Sequence, residues 1–375
     1  MTKQRDDIDL RSFGVSKDRG FLPMGKDPLT VLPNSLLPLD LLGIGLPNIL
    51  AEKRIKEACL DLPIPSRELL ESLNERQAQL ALLRYDFIKS AFVHGQKKTP
   101  KYIPRNLAWP SWILGTRLGK HKYILNYYSY SSCNWKRIDL FASLRVDNLR
   151  LIQGFMGTGD EAWFVLIHVA IDYREAALIY WVLAAIDAAK SNNFNWLKYA
   201  LGCIGDIYLQ MTEIFKRMGE KAFPSTYHQT RKWIQPFKKI RYQGIPGWPR
   251  SYRGETGAQR PGMQAICALL GIQHQESKLT VHLKDMLNYM PPGHRDFIKV
   301  IEERSEVREA VLKEKGRLGE SYNHAVEAVA GFRGVHLDHS DEFIHKQTSD
   351  PKGTGGTDFM PWLTRLRDET LEHRV

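Results

Sequence analysis

Between Glu320 and Phe343 the apolar positions return at helical spacing. Tyr322, Ala325, Val329, Phe332, His336, His339 and Phe343 fall on one face of a predicted helix. Two more stretches, about Glu161 to Ala189 with a break expected near Asp172, and Trp196 to Gly219, are apolar nearly all round, as helices central to a bundle are. From Ser66, an N-cap candidate, to about His94 the residues Leu69, Leu73, Leu80, Leu83, Phe87 and Ala91 keep the same period. Upstream, Pro23, Pro28, Pro33, Pro38, Pro47, Pro63 and Pro65 predict an extended lead-in with at most one or two short helices. Gly95 to Pro110 reads as a loop rich in breakers, Ser277 to Tyr289 as an amphipathic helix, and His294 to Lys315 as a charged helix that leaves His282 and His294 on the surface. The pattern therefore predicts an all-α protein, with a smaller Pro-rich N-terminal domain over 1–110 and a large helical domain over 111–375.

Length and composition narrow the classes. A chain of 375 residues, 43% of them apolar, buries one large core or two modest ones. Lys and Arg outnumber Asp and Glu by 53 to 42, giving +11 and a pI near 9.3. The cations are scattered as pairs such as Lys97-Lys98, Lys136-Arg137, Arg231-Lys232 and Lys238-Lys239, which reads as a solvated surface and argues against a nucleic-acid face. Cys59, Cys133, Cys203 and Cys267 lie far apart, without the spacing of a zinc knuckle or a disulfide framework. Asp172, Arg174, Glu175 and Asp187 interrupt the longest apolar region, which excludes an ordinary membrane span of about 20 residues. The polar N-terminus lacks a secretory apolar run, so the expectation is a cytoplasmic protein with neither nucleic acid nor membrane as partner.

The candidate chemistry begins at His336. A neutral imidazole in an apolar wall can bind haem iron while the macrocycle covers the surface around it. Arg333, one turn earlier, could fork onto a propionate, and Phe332 lies beside it. A lone histidine on such a face also reads as a satisfied core residue, and the pattern alone leaves both open. Tyr123, Tyr127, Tyr128 and Tyr130 crowd near Cys133 and Trp135, a density that serves either core packing or the wall of a pocket for a flat ligand. Tyr227 and Arg231 are i, i+4 on a predicted helix, on one side. The Gly254-x-x-Gly257 pair lacks the strand-turn-helix setting of a dinucleotide site and suits a close backbone approach instead. A Gly/Thr-rich run closes the series at 346–358, where a mobile loop is expected.

Several blocks together resemble the indoleamine 2,3-dioxygenase family. They are Arg19-Gly20-Phe21-Leu22-Pro23, Ile103-Pro104-Arg105-Asn106-Leu107-Ala108, Arg253-Gly254-Glu255-Thr256-Gly257-Ala258-Gln259, Leu269-Leu270-Gly271-Ile272-Gln273, Leu287-Asn288-Tyr289-Met290-Pro291-Pro292-Gly293-His294-Arg295, Phe332-Arg333-Gly334-Val335-His336-Leu337 and Lys352-Gly353-Thr354-Gly355-Gly356-Thr357-Asp358. They appear in the family's order, from about residue 19 to about 370. The resemblance implies a haem b enzyme, ferrous when active. It opens the indole C2–C3 bond of L-tryptophan or a related indoleamine with O2 to an N-formylkynurenine-type product, in the kynurenine pathway.

By the same resemblance His336 is the proximal ligand, and Arg333, Phe332 and Gly254 touch the cofactor. Arg231 clamps the substrate carboxylate, while Tyr227, Tyr127, Tyr130, Trp163, Phe164, Ile167 and His168 enclose the ring. The loop with Thr354, Gly355 and Thr357 closes over it, and no acid/base residue is required. The partners implied are an indole amino acid and an electron donor; the oligomeric state and the roles of His168 and His228 are not fixed. Animal members tend to carry two adjacent aromatics before the arginine, where this chain has Thr226-Tyr227, and often a Gly-Trp where it has Pro236-Phe237. Those departures leave open a haem oxygenase of the same superfamily acting on another aromatic amino acid in secondary metabolism. A basic helical nucleic-acid-binding protein without haem is the alternative of another class; it would be colourless and held on DNA in a salt-sensitive way.

Overall fold

The computed structural model describes residues 8–247, 249–348, 353 and 359–375. Its lead-in is more helical than the prolines suggest: after 3-10 turns at Leu10–Phe13 and Asn34–Leu36 come α1 (Leu37–Ile44), α2 (Leu46–Ala51) and α3 (Ile55–Leu60). Pro38 and Pro47 open α1 and α2, at positions where no N–H is needed and the fixed φ already suits a helix. The stretch from Ser66 divides in two. Ser66 caps α4 (Arg67–Ser72), Leu73 is extended, and a capping box of Asn74 and Gln77 starts α5 (Glu75–His94). The expected loop up to Pro110 stops sooner, because α6 runs Arg105–Arg117 with Pro110 inside it.

Next come α7 (Gly159–Lys190) and α8 (Phe194–Lys216). No break occurs at Asp172, whose carboxylate is bonded to other elements and does not compete for its own backbone. The C-terminal half holds α9 (Pro224–Arg231), α10 (Pro261–Leu270), α11 (Lys278–Met286), α12 (Pro292–Arg304), α13 (Val307–Lys313), α14 (Lys315–Phe343) and α15 (Phe359–Leu371). The structure is all-α in character, as expected, with short strands that the pattern did not announce. β1 (Tyr102–Ile103) runs parallel to β4 (Phe237–Tyr242), and β4 pairs antiparallel with β5 (Arg250–Tyr252). β2 (Trp135–Arg137) and β3 (Leu149–Leu151) form a separate hairpin.

Helix α8 packs along both α7 and α14, and α15 lies on α14. One apolar cluster fills the space among α7, α8, α10 and α14. A second lies under α1, α5 and α6 and takes in Trp233, Phe237, Ile240 and Tyr252 from far along the chain. The expected surface positions of His282 and His294 are corrected: they are only 6% and 3% exposed. His282 packs on Trp362, its ring centroid 5.5 Å away, and His294 lies edge-on to Phe21 and Tyr128. Each is covered by an element distant in sequence, which the local charge pattern could not show.

Candidate functional site

The helical stripe seen in the sequence is real, and its two halves do different work. Tyr322, Ala325, Val329, Phe332 and Phe343 are buried, while His336 and His339 are half-buried beside cavities. His336 stands where two adjoining voids, of about 100 and 250 Å³, meet. His168, Phe215, Thr256, Gly257, Ser340 and Ile344 also line both. Taken together the voids reach the lower end of small-molecule pockets, about 300–1,000 Å³.

The smaller void has aromatic walls. Tyr127 and Tyr130 line it from the turn after α6, Phe164 and His168 from α7, and Tyr227 from α9. Phe164 stacks on Tyr227 with centroids 4.2 Å apart. Trp163 and Ile167, expected in the same wall, face elsewhere. Trp163 donates its indole N–H to the Arg217 carbonyl at 2.9 Å, and Ile167 is wholly inside the core. Positions 163 and 167 share one side of α7 and 164 and 168 the next, so a single cavity takes one pair. Arg231 ends α9 one turn after Tyr227 and is buried, but it does not line either void. The Tyr227 hydroxyl nevertheless feels both the Glu255 carboxyl and the Arg231 guanidinium. Thr354, Gly355 and Thr357 lie outside the described residues, whereas Gly353 borders the larger void.

Phe332, Arg333, Arg260 and the C-terminal Phe359 and Trp362 line the larger void. Arg333 is on the expected face, but its donors are already engaged. They reach the Leu366 carbonyl (2.5 Å), the Thr370 hydroxyl (2.5 Å), the Cys267 sulfur (3.1 Å) and the Nε2 of His274 (3.1 Å), binding α15 to α14. The glycine that opens on both voids is Gly257, whose missing Cβ would meet nothing. Gly254 is buried, and its carbonyl accepts from the Gln259 amide at 2.9 Å.

Electrostatics keep the imidazoles neutral. Burial lowers His336 to about 4, helped by His339, Arg260 and Arg333. Burial lowers His168 likewise, and its Nδ1–H donates to the Phe164 carbonyl at 2.8 Å. Among the described residues nothing hydrogen-bonds His336, so a neutral lone pair faces a void with apolar and aromatic walls. That donor fits the axial ligand of a haem.

Beside it lies a knot of charge. Arg260 Nε is 2.6 Å from Asp172 and Nη2 3.1 Å from Glu175, while Tyr127 and Ser132 donate their hydroxyls to Asp172 at 3.0 and 3.3 Å. Burial opposes the Arg260 charge, yet Glu175 and Asp172 hold it above the ordinary guanidinium value. Burial pushes Glu175 up to about 7, against the pull of Arg260 and with help from Asp172. Glu255, in the wall of the smaller void, is pushed by burial alone to about 8.

The match to known proteins is nearly full length. The family model described as indoleamine 2,3-dioxygenase matches residues 9–351. The chain belongs to the indoleamine 2,3-dioxygenase family. It is 29% identical to indoleamine 2,3-dioxygenase 1 of Rattus norvegicus, over 96% of this chain and 94% of that protein. It is 28% identical to indoleamine 2,3-dioxygenase acdA of Aspergillus candidus, over 98% of each. A protein named myoglobin from Haliotis madaka is 26% identical, over 97% of this chain and 98% of its own.

Within this family member, sequence reasoning passed over Glu255, Thr256 and Arg260 as site residues, although the first two stand inside a block it singled out. A usable signal existed: Asp172 and Glu175 sit one turn apart in the middle of a largely apolar helix, and two carboxylates buried there need a cation to meet them. Phe215 carries no such signal, being an ordinary apolar position, whereas Phe343 shares the helical face of His336.

Proposed function

We propose that this family member is a ferrous haem b dioxygenase acting on the indole ring of L-tryptophan or a close indoleamine, with His336 as the proximal ligand. The observation that carries the assignment is the imidazole of His336 at the junction of two voids, one of them walled by aromatics, without a hydrogen bond among the described residues; burial favours its neutral form. When bound, the haem supplies the O2 chemistry that opens the indole C2–C3 bond and places both oxygen atoms in an N-formylkynurenine-type product. Tyr127, Tyr130, Phe164 and Tyr227 hold the flat ring, and the stacked pair of Phe164 and Tyr227 sets its plane. Arg231, one turn from Tyr227, meets the substrate carboxylate once the amino acid is seated, since a buried carboxylate needs a fork of donors. The loop with Thr354, Gly355 and Thr357 covers the site and excludes water. Tyr127 spends its hydroxyl on Asp172, so it contributes its ring alone. An external electron donor keeps the iron reduced.

The test is the ultraviolet-visible spectrum of the purified protein before and after dithionite, followed by product mass after turnover with L-tryptophan. A relative of matching length is named a myoglobin, so a Soret band alone does not separate dioxygenase from myoglobin. Gain of two oxygens with loss of indole absorbance does. The pigment without that product, or an oxygenated product from another aromatic amino acid only, would overturn the substrate assignment. Arg231→Ala is expected to keep the pigment and weaken L-tryptophan binding by about 2 to 4 kcal/mol, read from titration of the Soret shift.

A further inference from the structure

The β2–β3 hairpin stands apart from the haem site, and its composition is at odds with a plain solvated surface. Ile138 is 53% exposed, Leu140 63% and Phe141 101%, so three of the four residues 138–141 at the tip are large exposed apolar groups, with Asp139 between the first and the second. Leu144 and Val146 turn inward and are 5% and 4% exposed, anchoring the base. The tip is not a slack loop. Asp139 and Asn148 exchange hydrogen bonds at 2.9 Å, the Asp139 carboxylate accepts from the Phe141 N–H at 2.9 Å, and Asn148 also donates to the Ser143 carbonyl at 3.1 Å. Arg137 reaches the Ala142 carbonyl at 3.3 Å. A backbone fixed this well, holding apolar side chains outward, is preorganised to bury them against something else.

Charge on the two strands indicates what. Lys136 pairs directly with Arg150 across the ladder, and both are exposed. Like charges placed opposite one another on a sheet repel and weaken the hairpin unless an anion meets them. Arg145 is exposed on the same hairpin. Among the described residues none of these three cations has an ion pair, whereas Arg137 is held by Asp27 (2.7 Å) and Asp147 by Arg217 (3.4 Å). Lys136 and Arg145 stand four residues behind Leu140 and Phe141, at most ~14 Å along the chain, and Arg150 is level with Lys136 across the ladder. A wedge of side chains sunk ~5–10 Å into the boundary of headgroups and acyl chains would bring them level with the lipid phosphates. A convex tip with no groove of its own suits a soft phase that closes around it.

We propose that the hairpin 135–151 is a peripheral membrane anchor, with Leu140 and Phe141 inserting into an anionic bilayer and Lys136, Arg145 and Arg150 contacting its phosphates. The chain's charge of +11 draws it to the same surface. The anchor needs no helix long and apolar enough to cross a membrane, and the described residues hold none.

The test is co-sedimentation of the haem-loaded, full-length protein with phosphatidylcholine vesicles, with and without phosphatidylserine. Partitioning into the serine-containing vesicles is expected to be on the order of a hundredfold stronger, from three cations at the surface, and to fall at high salt. The double substitution Leu140→Ser, Phe141→Ser is expected to release the protein while leaving its Soret band and thermal midpoint unchanged. Lys136→Glu sharpens the test because it trades a repulsive cross-strand pair for an attractive one with Arg150. It is expected to raise the thermal midpoint and yet weaken vesicle binding, a combination that a purely structural role for Lys136 would not give. Wild-type protein that stays in the supernatant with both vesicles would overturn the proposal, as would equal sedimentation of the double variant. Reversible self-association lost in the double variant, without vesicle binding, would also overturn it in favour of a second copy of the chain.

Discussion

Two buried arginines in this molecule make opposite use of the same chemistry. Arg84, 1% exposed on α5, is saturated: Asp40 at 3.0 Å, the Gln153 side chain at 2.6 Å and the carbonyls of Ile152 and Thr30 at 3.1 and 3.4 Å take its donors. Asp40 in turn accepts from the Leu32 N–H at 3.2 Å. Arg260 faces two carboxylates beside a void, and a side-chain nitrogen of Arg260 and an oxygen of Glu175 are left without a well-aligned hydrogen bond. Each knot has a glycine that makes room for it. A Cβ on Gly43 would come 2.4 Å from the Arg84 side chain, and one on Gly262 would come 1.7 Å from the Glu175 carboxylate. The saturated knot joins α1, α5 and the segment after β3 into a scaffold. The unsaturated one keeps polarity in reserve next to His336, where a bound group can complete it.

The largest expected effect tests which region holds the cofactor. His336→Ala should yield folded, colourless protein, with unfolding free energy in the haem-free state within about 1 kcal/mol of the parent, because a half-buried imidazole with no hydrogen bond among the described residues supports little of the fold. Retained pigment would break the division between site and scaffold at its centre. Arg84→Met comes next. It leaves Asp40 buried and uncompensated, so chemical denaturation should show a loss of about 3 to 5 kcal/mol, with the Soret band unchanged at temperatures where the protein is folded. Tyr127→Phe removes a hydroxyl that donates to the buried Asp172, and a loss of roughly 2 to 3 kcal/mol is expected together with an altered Soret maximum. A stability loss with no spectral change would place Tyr127 on the scaffold side.

How much of this was legible beforehand depends on the range of each interaction. The all-helical class, the central helices α7 and α8 and the face bearing His336 follow from local periodicity, and the structure keeps them. The resemblance alone placed Phe164 and Tyr227 around one ring, and in the structure the two stack at the edge of the smaller void. Which of two adjacent faces of α7 meets the cavity is set by the helix's rotation against α8 and α9, so Trp163 and Ile167 could not be told from Phe164 and His168. The partners of Asp172 and of Arg333 lie 88 and 37 positions away (Arg260 and Thr370), farther than any window of periodicity reaches. Arg333 illustrates the consequence: its face was readable, its occupation by α15 was not.

The smallest effect concerns pH, where the two kinds of buried group pull in opposite directions. Burial lowers His94, His168, His274, His282 and His294 to about 4. Between about 4 and the ordinary value near 6.5 the unfolded chain binds protons that the fold refuses, so these groups make stability rise with pH across that window. Glu175 near 7 and Glu255 near 8 act the other way: above about 4.5 the fold keeps protons that the unfolded chain has released, so stability falls as pH climbs toward those values. At pH 6.5 half of the unfolded chain's imidazoles are still protonated, so the five imidazoles outweigh the two carboxyls until about pH 7, above which the carboxyls prevail. The unfolding free energy of the haem-loaded protein should therefore peak near pH 7 and decline by about 1 kcal/mol toward pH 8. Glu255→Gln should flatten that alkaline limb and, because Glu255 opposes the imidazoles from about pH 4.5 upward, steepen the acid limb by about one proton. An alkaline limb unchanged in the variant would mean that Glu255 is ionised in the fold, with a counter-charge in the smaller void, and the wall beside Tyr227 would then belong with the saturated knot at Arg84.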